Sequence, residues 1–224
     1  MQNGLQERTF EITYQADIGN GIYKFVKRAF DFIVALAAIV AISPLLLIIS
    51  AIVYPGDPGP VIYGQVRIGK NGEAFKMWKF RSIYKNADKM IDQLTDEQRQ
   101  QYITEFKIDN DPRITPVGNF LRKTSLDELP QLFNVLCNDM SLVGPRPLIE
   151  SEIQTYYADM FDTLLSVKPG VTGYWQAYAR NNATYQSGQR QQMEMYYVNH
   201  ASIMLDIKIL FRTVASVLHR DGAK

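Results

Sequence analysis

The sequence predicts a helix-rich α+β protein that is attached to a membrane and folded as one compact domain. Three observations predict this class. The chain carries no charged residue from Phe32 to Tyr54, a run long enough for a membrane helix. Two segments with strand character, 61–68 and 73–80, flank the glycine-containing turn 69–72, which predicts a small β-hairpin. Most of the remaining chain repeats apolar residues at helical spacing.

Length and composition narrow the class of protein further. The 224 residues suit one domain of ordinary size with its own core. A net charge of +1 gives no strong positive field, so nucleic acid is not an expected partner. The single cysteine, Cys137, excludes an internal disulfide, and we expect it to be buried in an apolar helical pattern rather than to act as a nucleophile. The two histidines, His200 and His219, do not form zinc-binding spacing with it.

The uncharged run has Ser43-Pro44 near its centre. Its 23 residues would form a helix of about 34 Å, enough to cross a hydrocarbon core of about 30 Å. Proline removes one helical hydrogen bond, and a neighbouring serine can satisfy the carbonyl that is left. Two hypotheses follow from the residues: one spanning helix, or a helix sharply broken at Pro44 that returns to the same side. Basic residues flank both ends, so charge does not decide between them.

The second predicted strand brings two cations onto one face. Alternation places Trp78 and Phe80 on one side and Lys79 and Arg81 on the other. A solvated face is the simplest explanation for such a pair of cations.

Helical spacing recurs in several later segments. Residues 83–94 carry it, and residues 95–107 begin with a capping box, Thr-x-x-Gln, that predicts a second, polar helix. Residues 149–165 form an amphipathic candidate, and residues 193–218 form another with basic side chains along its polar side. For the last segment, packing against the core and docking on anionic lipid are both open interpretations.

Two short motifs each have a structural and a functional interpretation. Residues 109–111 spell Asp-x-Asp, a metal-binding pattern of many glycosyltransferases, but Pro112 follows directly, and an Asx turn explains the same letters. Trp175 or Tyr178, in the aromatic patch after a Pro-Gly turn, could stack on a nucleobase or could simply pack in the core.

The segment 122–147 centres on the adjacent carboxylates Asp127-Glu128. Pro130 favours a helix that starts near Leu129 and ends at Asn138, a residue type that tolerates the left-handed conformation. That helix is expected to bury its apolar side chains, namely Leu132, Phe133, Val135 and Leu136. Ser125-x-x-Glu128 also spells a capping box, so a purely structural role for both carboxylates is one interpretation.

The cations around this pair indicate a different role. Arg122 and Lys123 lie just upstream, and Arg146 is held between Pro145 and Pro147. Prolines restrict the backbone beside them, and a stiffly mounted guanidinium suits bidentate binding of phosphate. Carboxylates ringed by cations therefore suggest a metal-dependent phosphate site.

At this point the sequence resembles a known family. The segments 125–132, 134–136 and 140–147 (SLDELPQL, NVL and MSLVGPRP) are similar to those of the bacterial sugar transferases. These are the monotopic phosphoglycosyl transferases, which move a phosphosugar from a nucleotide diphosphate sugar to a polyprenyl phosphate. The similarity runs from about Lys27 to Leu218, nearly the whole chain.

The resemblance implies an architecture. Its members carry a Ser-Pro break and form a re-entrant membrane helix with both ends cytoplasmic, so we expect the break at Ser43-Pro44 to be re-entrant. The implied division is a flexible or peripheral N-terminus (1–22), the re-entrant helix (23–54) and a cytoplasmic catalytic domain (55–224) with amphipathic interfacial helices. The implied location is the bacterial cytoplasmic membrane, with membrane lipid as a partner.

The resemblance also implies a mechanism and its residues. Asp127 would attack a UDP-sugar to form a phosphosugar–aspartate intermediate with release of UMP, and polyprenyl phosphate (undecaprenyl phosphate) would then accept the phosphosugar. Glu128, together with Asp127, would bind Mg²⁺. Five cations are the implied phosphate or substrate ligands: Lys79, Arg81, Arg122, Arg146 and Arg180. The chain departs from the family pattern at Ala179 and Glu194, where glycine and aspartate are usual.

Two other functions are compatible with the residues alone. A metal-dependent glycosyltransferase could use Asp109 and Asp111 and would release UDP. A membrane-tethered module without chemistry is the second, although the dense charged centre speaks against it. The sequence names neither the sugar nor the polysaccharide pathway, and a homo-oligomer is compatible with it.

Overall fold

The computed structural model describes residues 21–105, 108, 110–179 and 183–218. Its helices and strands confirm a helix-rich α+β chain with a small hairpin. The helices are α1 (Gly21–Gly56), α2 (Asp96–Glu105), α3 (Pro116–Lys123), α4 (Gln131–Leu136), α5 (Glu150–Tyr156), α6 (Phe161–Leu164), α7 (Tyr174–Tyr178), α8 (Gln189–His200) and α9 (Ile203–Leu218). The strands are β1 (Ile62–Ile68), β2 (Ala74–Phe80), β3 (Ser141–Val143) and β4 (Gly170–Thr172). β1 and β2 pair antiparallel, and β3 and β4 pair parallel.

Helix α1 is continuous through Pro44. Because proline has no N–H, the carbonyl of Val40 lacks its usual helical donor, and the hydroxyl of Ser43 donates to that carbonyl at 2.9 Å. The expected role of this serine is thus confirmed, and helical geometry does not stop at Pro44. By length and composition α1 could cross a membrane, and no other helix among the described residues could.

Both halves of α1 pack against the same globular part of the chain. Before Pro44, Ala35 is fully buried in the main apolar core with Val135 of α4. After Pro44, Ile49 and Val53 are buried in a second cluster with Leu121 of α3. The two ends of the apolar helix are therefore both held against one body.

A buried polar network fixes the start of α1 to the rest of the fold. The ammonium of Lys27 donates to Asp206 of α9 at 2.7 Å. One turn later, Asp31 accepts from the hydroxyl of Ser141 at 2.6 Å and from the backbone N–H of Leu142 at 3.3 Å. The hydroxyl of Tyr197 in α8 lies 2.8 Å from Asp206. Three separate segments are thereby joined to the first three turns of α1.

The hairpin differs from its prediction in how its faces are used. The register pairs Tyr63 with Lys79, and Phe80 is buried as expected. A solvated face is wrong for Arg81, which is only 8% exposed, whereas Lys79 is partly exposed and forms an ion pair with Glu128. Alternation along the strand cannot reveal these partners, because they come from distant segments.

Three segments predicted as single helices are shorter or divided in the structure. Residues 83–94 contain a 3₁₀ helix, Ala87–Gln93, whereas the capping box before α2 is confirmed. Residues 149–165 form two helices, α5 and α6, because the chain turns at Tyr157, which is buried edge-on against Tyr185. Residues 193–218 also divide, since the hydroxyl of Ser202 accepts the N–H of Leu205 and starts α9 as a new helix.

Candidate functional site

The adjacent carboxylates Asp127 and Glu128 lie in a single 3₁₀ turn, Leu126–Glu128, between α3 and α4. Ser125 is left-handed with φ 56° and makes no side-chain cap, so the predicted capping box does not form. Helix α4 begins at Gln131, just after Pro130, rather than near Leu129. The strained backbone at Ser125 turns the chain so that the carboxylates face the hairpin instead of capping a helix.

The end of α4 matches its prediction more closely than its faces do. Asn138 takes the expected left-handed conformation, with φ 73°. Leu132 and Val135 are buried, but Phe133 is 42% exposed. Cys137, the residue after the end of α4, is exposed rather than buried.

The residues that flank the carboxylate pair belong to the apolar packing around α1. Leu126 and Leu129, the residues on either side of the pair, pack against the cluster that contains Ile49 and Val53 of α1. The candidate site is therefore one residue along the chain from side chains of an apolar packing that includes the second half of α1.

Asp127 is buried among charges. It is 7% exposed, and burial raises the pKa of its carboxyl to about 6, against the opposing effect of the Lys79 ammonium. The neighbouring Glu128 carboxylate raises this pKa as well, and the guanidinium of Arg122 lowers it. At neutral pH the carboxyl is therefore mostly ionised but poorly solvated, a state that suits a nucleophile.

Lys79 joins the hairpin to the carboxylate pair. Its ammonium lies 2.7 Å from a carboxylate oxygen of Glu128, and both side chains are partly exposed. The cation is thus shared: it pairs with Glu128 and stabilises the charge on Asp127. An incoming phosphate would meet this ammonium at the same place.

The close packing of α3 against Ser82 positions the side chain of Arg122. The hydroxyl of Thr115 caps α3 by accepting the N–H of Gly118, and Gly118 lies so close to Ser82 that a Cβ there would sit 1.9 Å from the Ser82 carbonyl oxygen. This close approach lets Arg122 Nε donate to the Ser82 hydroxyl at 2.8 Å. The positive charge of Arg122 is close enough to Asp127 to lower the pKa of that carboxyl.

Arg81 contacts the turn that follows α1, whereas Lys79 contacts the carboxylate pair. Its guanidinium donates to the backbone carbonyl of Asp57 and lies 3.9 Å from the carboxylate of the same residue. Asp57 also accepts the backbone N–H of Lys85 at 2.6 Å. Arg81 thus holds the turn where the chain leaves α1, one residue from Phe80 of the second cluster.

Arg146 belongs to a second charged cluster. Its backbone N–H lies 3.3 Å from the carboxylate of Glu194, which is 1% exposed and whose pKa burial raises to about 7. Burial and the positive charge of Arg146 lower the pKa of both Arg67 and Arg190. The buried carboxylate of Glu194 therefore fixes the backbone of the rigid Pro145-Arg146-Pro147 segment.

The comparison with known proteins identifies the family. The family model described as bacterial sugar transferase matches residues 22–220. The chain belongs to the bacterial sugar transferase family. The resemblance found in the segments around Asp127 and Arg146 is thereby confirmed.

Three relatives illustrate the range of this bacterial sugar transferase family. The undecaprenyl-phosphate galactose phosphotransferase of Salmonella typhimurium is 45% identical over 203 residues, 89% of this chain and 42% of the relative. The exopolysaccharide production protein ExoY of Sinorhizobium fredii is 40% identical over 200 residues, 88% of this chain and 87% of the relative. The UDP-glucose:undecaprenyl-phosphate glucose-1-phosphate transferase of Escherichia coli is 40% identical over 201 residues, 87% of this chain and 40% of the relative. The chain thus spans less than half the length of two of them.

The charged cluster around Arg146 contains residues that the sequence analysis did not single out. Arg67 and Glu152 form a buried ion pair at 3.1 Å, and the hydroxyl of Tyr185 donates to the same carboxylate. The Arg190 guanidinium carbon lies 4.0 Å from the ring centre of Trp175 and 3.9 Å from that of Tyr185. Because Trp175 is buried in this stack, the structure favours packing over nucleobase stacking. No short motif predicts the ion pair of Arg67 with Glu152 or the stacking of Arg190 on Trp175, because the members of these two pairs are far apart in sequence.

The remaining predicted site residues are placed as follows. Arg180 and Asp109 lie outside the described residues. Asp111 accepts the backbone N–H of Arg113 at 3.0 Å and its guanidinium at 2.8 Å, which is the Asx-turn interpretation of 109–111.

The donor set fits Mg²⁺ at the carboxylate pair. Mg²⁺ is usually bound by one or two carboxylates together with substrate phosphates and water, rather than by an all-protein cage. Asp127 and Glu128 supply two adjacent carboxylates, one of them partly exposed. Within the described part of the chain, no group of three or more His, Cys, Asp or Glu side chains offers a cage elsewhere.

Proposed function

We propose that this bacterial sugar transferase moves a phosphosugar from a UDP-sugar to a polyprenyl phosphate through a covalent intermediate on Asp127. The observation that carries the proposal is a buried, ionisable carboxylate between cations, one residue from side chains that pack against the apolar cluster containing Ile49 and Val53 of α1. The names of the Salmonella and Escherichia relatives, which include undecaprenyl phosphate with galactose or glucose, support this substrate class. The product would be the first lipid-linked sugar of an exopolysaccharide or capsule.

The reaction would proceed by two displacements at one phosphorus atom. A carboxylate oxygen of Asp127 attacks the phosphorus next to the sugar, and the bond from that phosphorus to the bridging oxygen breaks, so that UMP leaves. A phosphate oxygen of the polyprenyl phosphate then attacks the same phosphorus. The aspartyl bond breaks, the carboxylate is regenerated, and the sugar is left on a polyprenyl diphosphate.

The surrounding charges account for the approach of two anions. Lys79 and Arg122 lower the energy of the ionised Asp127 and would also neutralise the diphosphate as charge moves to the leaving UMP. Arg81 and Arg146 would support this site from the exit of α1 and from the Pro145-Arg146-Pro147 segment. Asp127 and Glu128 would hold Mg²⁺, which supplies Lewis-acid stabilisation of the phosphate oxygens when bound.

The packing of α1 supports a re-entrant helix with both ends on the cytoplasmic side. Both halves contact one globular part, through Ala35 before Pro44 and through Ile49 and Val53 after it. A straight span would carry one half away from the domain. The re-entrant arrangement keeps the site at the membrane surface, where the phosphate of a lipid-borne acceptor lies.

Product analysis tests the chemistry. The full chain in detergent or nanodiscs is incubated with undecaprenyl phosphate and either UDP-glucose or UDP-galactose, and the released nucleotide is identified. We expect UMP, and Asp127→Asn should lower its release by about a thousandfold, which is about 4 kcal/mol. Asp159→Asn, an exposed acidic site, is the matched control and should keep wild-type turnover.

Each alternative gives a different result in the same assay. Release of UDP instead of UMP would indicate the glycosyltransferase hypothesis and exclude the aspartyl intermediate. Asp127→Asn with turnover within tenfold of wild type would exclude Asp127 as the nucleophile. Absence of nucleotide release with every sugar tested, from a protein that melts cooperatively, would favour a membrane-tethered module.

A further inference from the structure

Asn134 in α4 is fully buried, and its side-chain amide bonds to the backbone of β2. The amide oxygen Oδ1 accepts the backbone N–H of Trp78 at 2.9 Å. The amide nitrogen Nδ2 donates to the backbone carbonyl of Lys76 at 2.7 Å and to the carboxylate of Asp139 at 3.2 Å. The two strand residues precede Asn134 by 56 and 58 positions. One side chain therefore joins two distant parts of the sequence.

These bonds lie along the edge of β2 that points away from β1. The backbone N–H of Arg81 donates to the carbonyl of Val61 on the β1 side, and backbone groups alternate between the two edges, so those of residues 76 and 78 face outward. In the described part of the chain this hairpin is a sheet of two strands, which would leave the outer edge of β2 unpaired. The amide of Asn134 bonds to that edge as one residue of a neighbouring parallel strand would.

Asn134 connects the two elements that carry the candidate site. Trp78 is followed directly by Lys79, and α4 is the helix that follows the turn of Asp127 and Glu128. The ion pair between Lys79 and Glu128 is partly exposed on both sides and depends on a long, flexible lysine side chain. Such a pair contributes too little to fix the distance between β2 and the carboxylate turn by itself. The buried amide supplies a rigid connection between the same two elements.

We propose that Asn134 is a positioning residue for phosphosugar transfer, because it holds the strand that carries Lys79 against the helix that follows the carboxylate pair. The inference rests on the proposed function for the reaction that Lys79 serves. Asn134 acts through Lys79 and not on the substrate. Removing the amide leaves the N–H of Trp78 and the carbonyl of Lys76 without their buried partner, so β2 is free to shift relative to α4. A displacement of about 1 Å can lower the rate of a reaction by up to about a hundredfold.

A double-mutant cycle with Lys79 separates positioning from a purely structural role. Asn134→Leu keeps the branched shape of the side chain and removes its hydrogen bonds, and single-turnover UMP release at pH 6 and thermal melting are measured with Lys79 present and in Lys79→Gln. We expect Asn134→Leu to lower UMP release severalfold when Lys79 is present and by less than twofold in Lys79→Gln, because the positioned residue is already lost. The melting temperature should fall equally in both backgrounds. Asp139→Asn leaves both strand bonds in place and is the matched control, with wild-type UMP release.

Amine acetylation gives a second readout that does not need turnover. The full chain is acetylated with limiting reagent, and the modification of each lysine is measured by mass spectrometry. We expect Asn134→Leu to raise the acetylation of Lys79 severalfold, because the ammonium is released from Glu128, and to leave that of the exposed Lys89 unchanged. If Asn134→Leu does not melt cooperatively, Asn134→Ala takes its place, since it leaves room for a water at the two strand groups.

The outcomes that would overturn the proposal are distinct. Equal losses of UMP release in the two backgrounds would show that the defect does not pass through Lys79. Wild-type UMP release in Asn134→Leu, or unchanged acetylation of Lys79 in a variant that melts cooperatively, would also overturn it. Failure of both Asn134 variants to melt cooperatively would assign the residue to folding alone. If the wild type releases no UMP, the proposed function fails, and the acetylation of Lys79 still decides whether Asn134 positions it.

Discussion

Replacing Lys79 by glutamine should shift the pH dependence of the first displacement. The pKa of Asp127 is raised to about 6 by burial, although the Lys79 ammonium opposes the rise. A nearby opposite charge typically lowers the pKa of a carboxyl by about 1–3 units. Because Lys79 is partly exposed and its charge is screened by solvent, we take the lower end of this range, roughly one pKa unit. Lys79→Gln should therefore titrate Asp127 near pH 7.

The sign and size of the effect follow from the fraction of Asp127 that is ionised. At pH 6 about half of the wild type carries the nucleophilic carboxylate, against about one tenth of the variant, so the variant should be about fivefold slower. At pH 8 both carboxyls are ionised and this part of the defect should vanish. Any loss of phosphate binding by Lys79 would add a factor that does not change with pH.

Single-turnover UMP release between pH 5 and 9 measures this shift. Lys76→Gln is the matched control, since Lys76 is exposed on the same strand and should leave the acid limb near pH 6. An acid limb near pH 4 in the wild type, or one that does not move in Lys79→Gln, would refute the electrostatic account of the Asp127–Lys79 pair.

Three further variants test the packing that holds the site. Glu194→Gln should stabilise the protein above pH 7, because the carboxyl pKa is raised from 4.5 to about 7 in the fold. The neutral carboxyl of Glu194 stabilises the fold fully below about pH 4, and this contribution, on the order of 3 kcal/mol, is lost as the pH rises through 7. Melting curves at pH 5 and 8 should therefore show a clear gain in the stability of Glu194→Gln only at pH 8. Arg67→Met leaves the Glu152 charge buried and should cost about 3–5 kcal/mol by denaturant melting, and a loss under 1 kcal/mol would contradict this. Gly118→Ala forces the α3 backbone away from Ser82 and should cost about 3 kcal/mol and most of the UMP release, whereas a wild-type melting curve would show that the contact is slack.

Several features that the sequence predicted correctly depend on interactions within a few residues of chain. The glycine turn predicted the hairpin, the Thr-x-x-Gln capping box predicted the start of α2, and Ser43 was expected to satisfy the carbonyl that Pro44 leaves. The carboxylate pair could also be found, because Asp127 and Glu128 are adjacent and lie within a long motif. Each of these signals acts within a few residues of chain.

The predictions that failed concern residues whose conformation depends on contacts with other parts of the fold. Ser125 is left-handed because the chain turns its carboxylates toward Lys79, about fifty residues away, so the local capping box loses to a tertiary ion pair. The same is true of Arg81, whose partner is Asp57 in the turn after α1. The stacking of Arg190 between two rings has no local signature at all, since periodicity describes a face and not what covers it.

The central claim is the covalent phosphosugar on Asp127, and trapping it is the most direct measurement. The full chain is incubated with UDP-sugar labelled in the sugar and Mg²⁺ but without acceptor lipid, and the protein is digested and its peptides are analysed by mass spectrometry. We expect label on the peptide that contains Asp127, its absence in Asp127→Asn, and its transfer to lipid when undecaprenyl phosphate is added. Turnover that releases UMP while no labelled peptide forms, or label that persists in Asp127→Asn, would contradict the account.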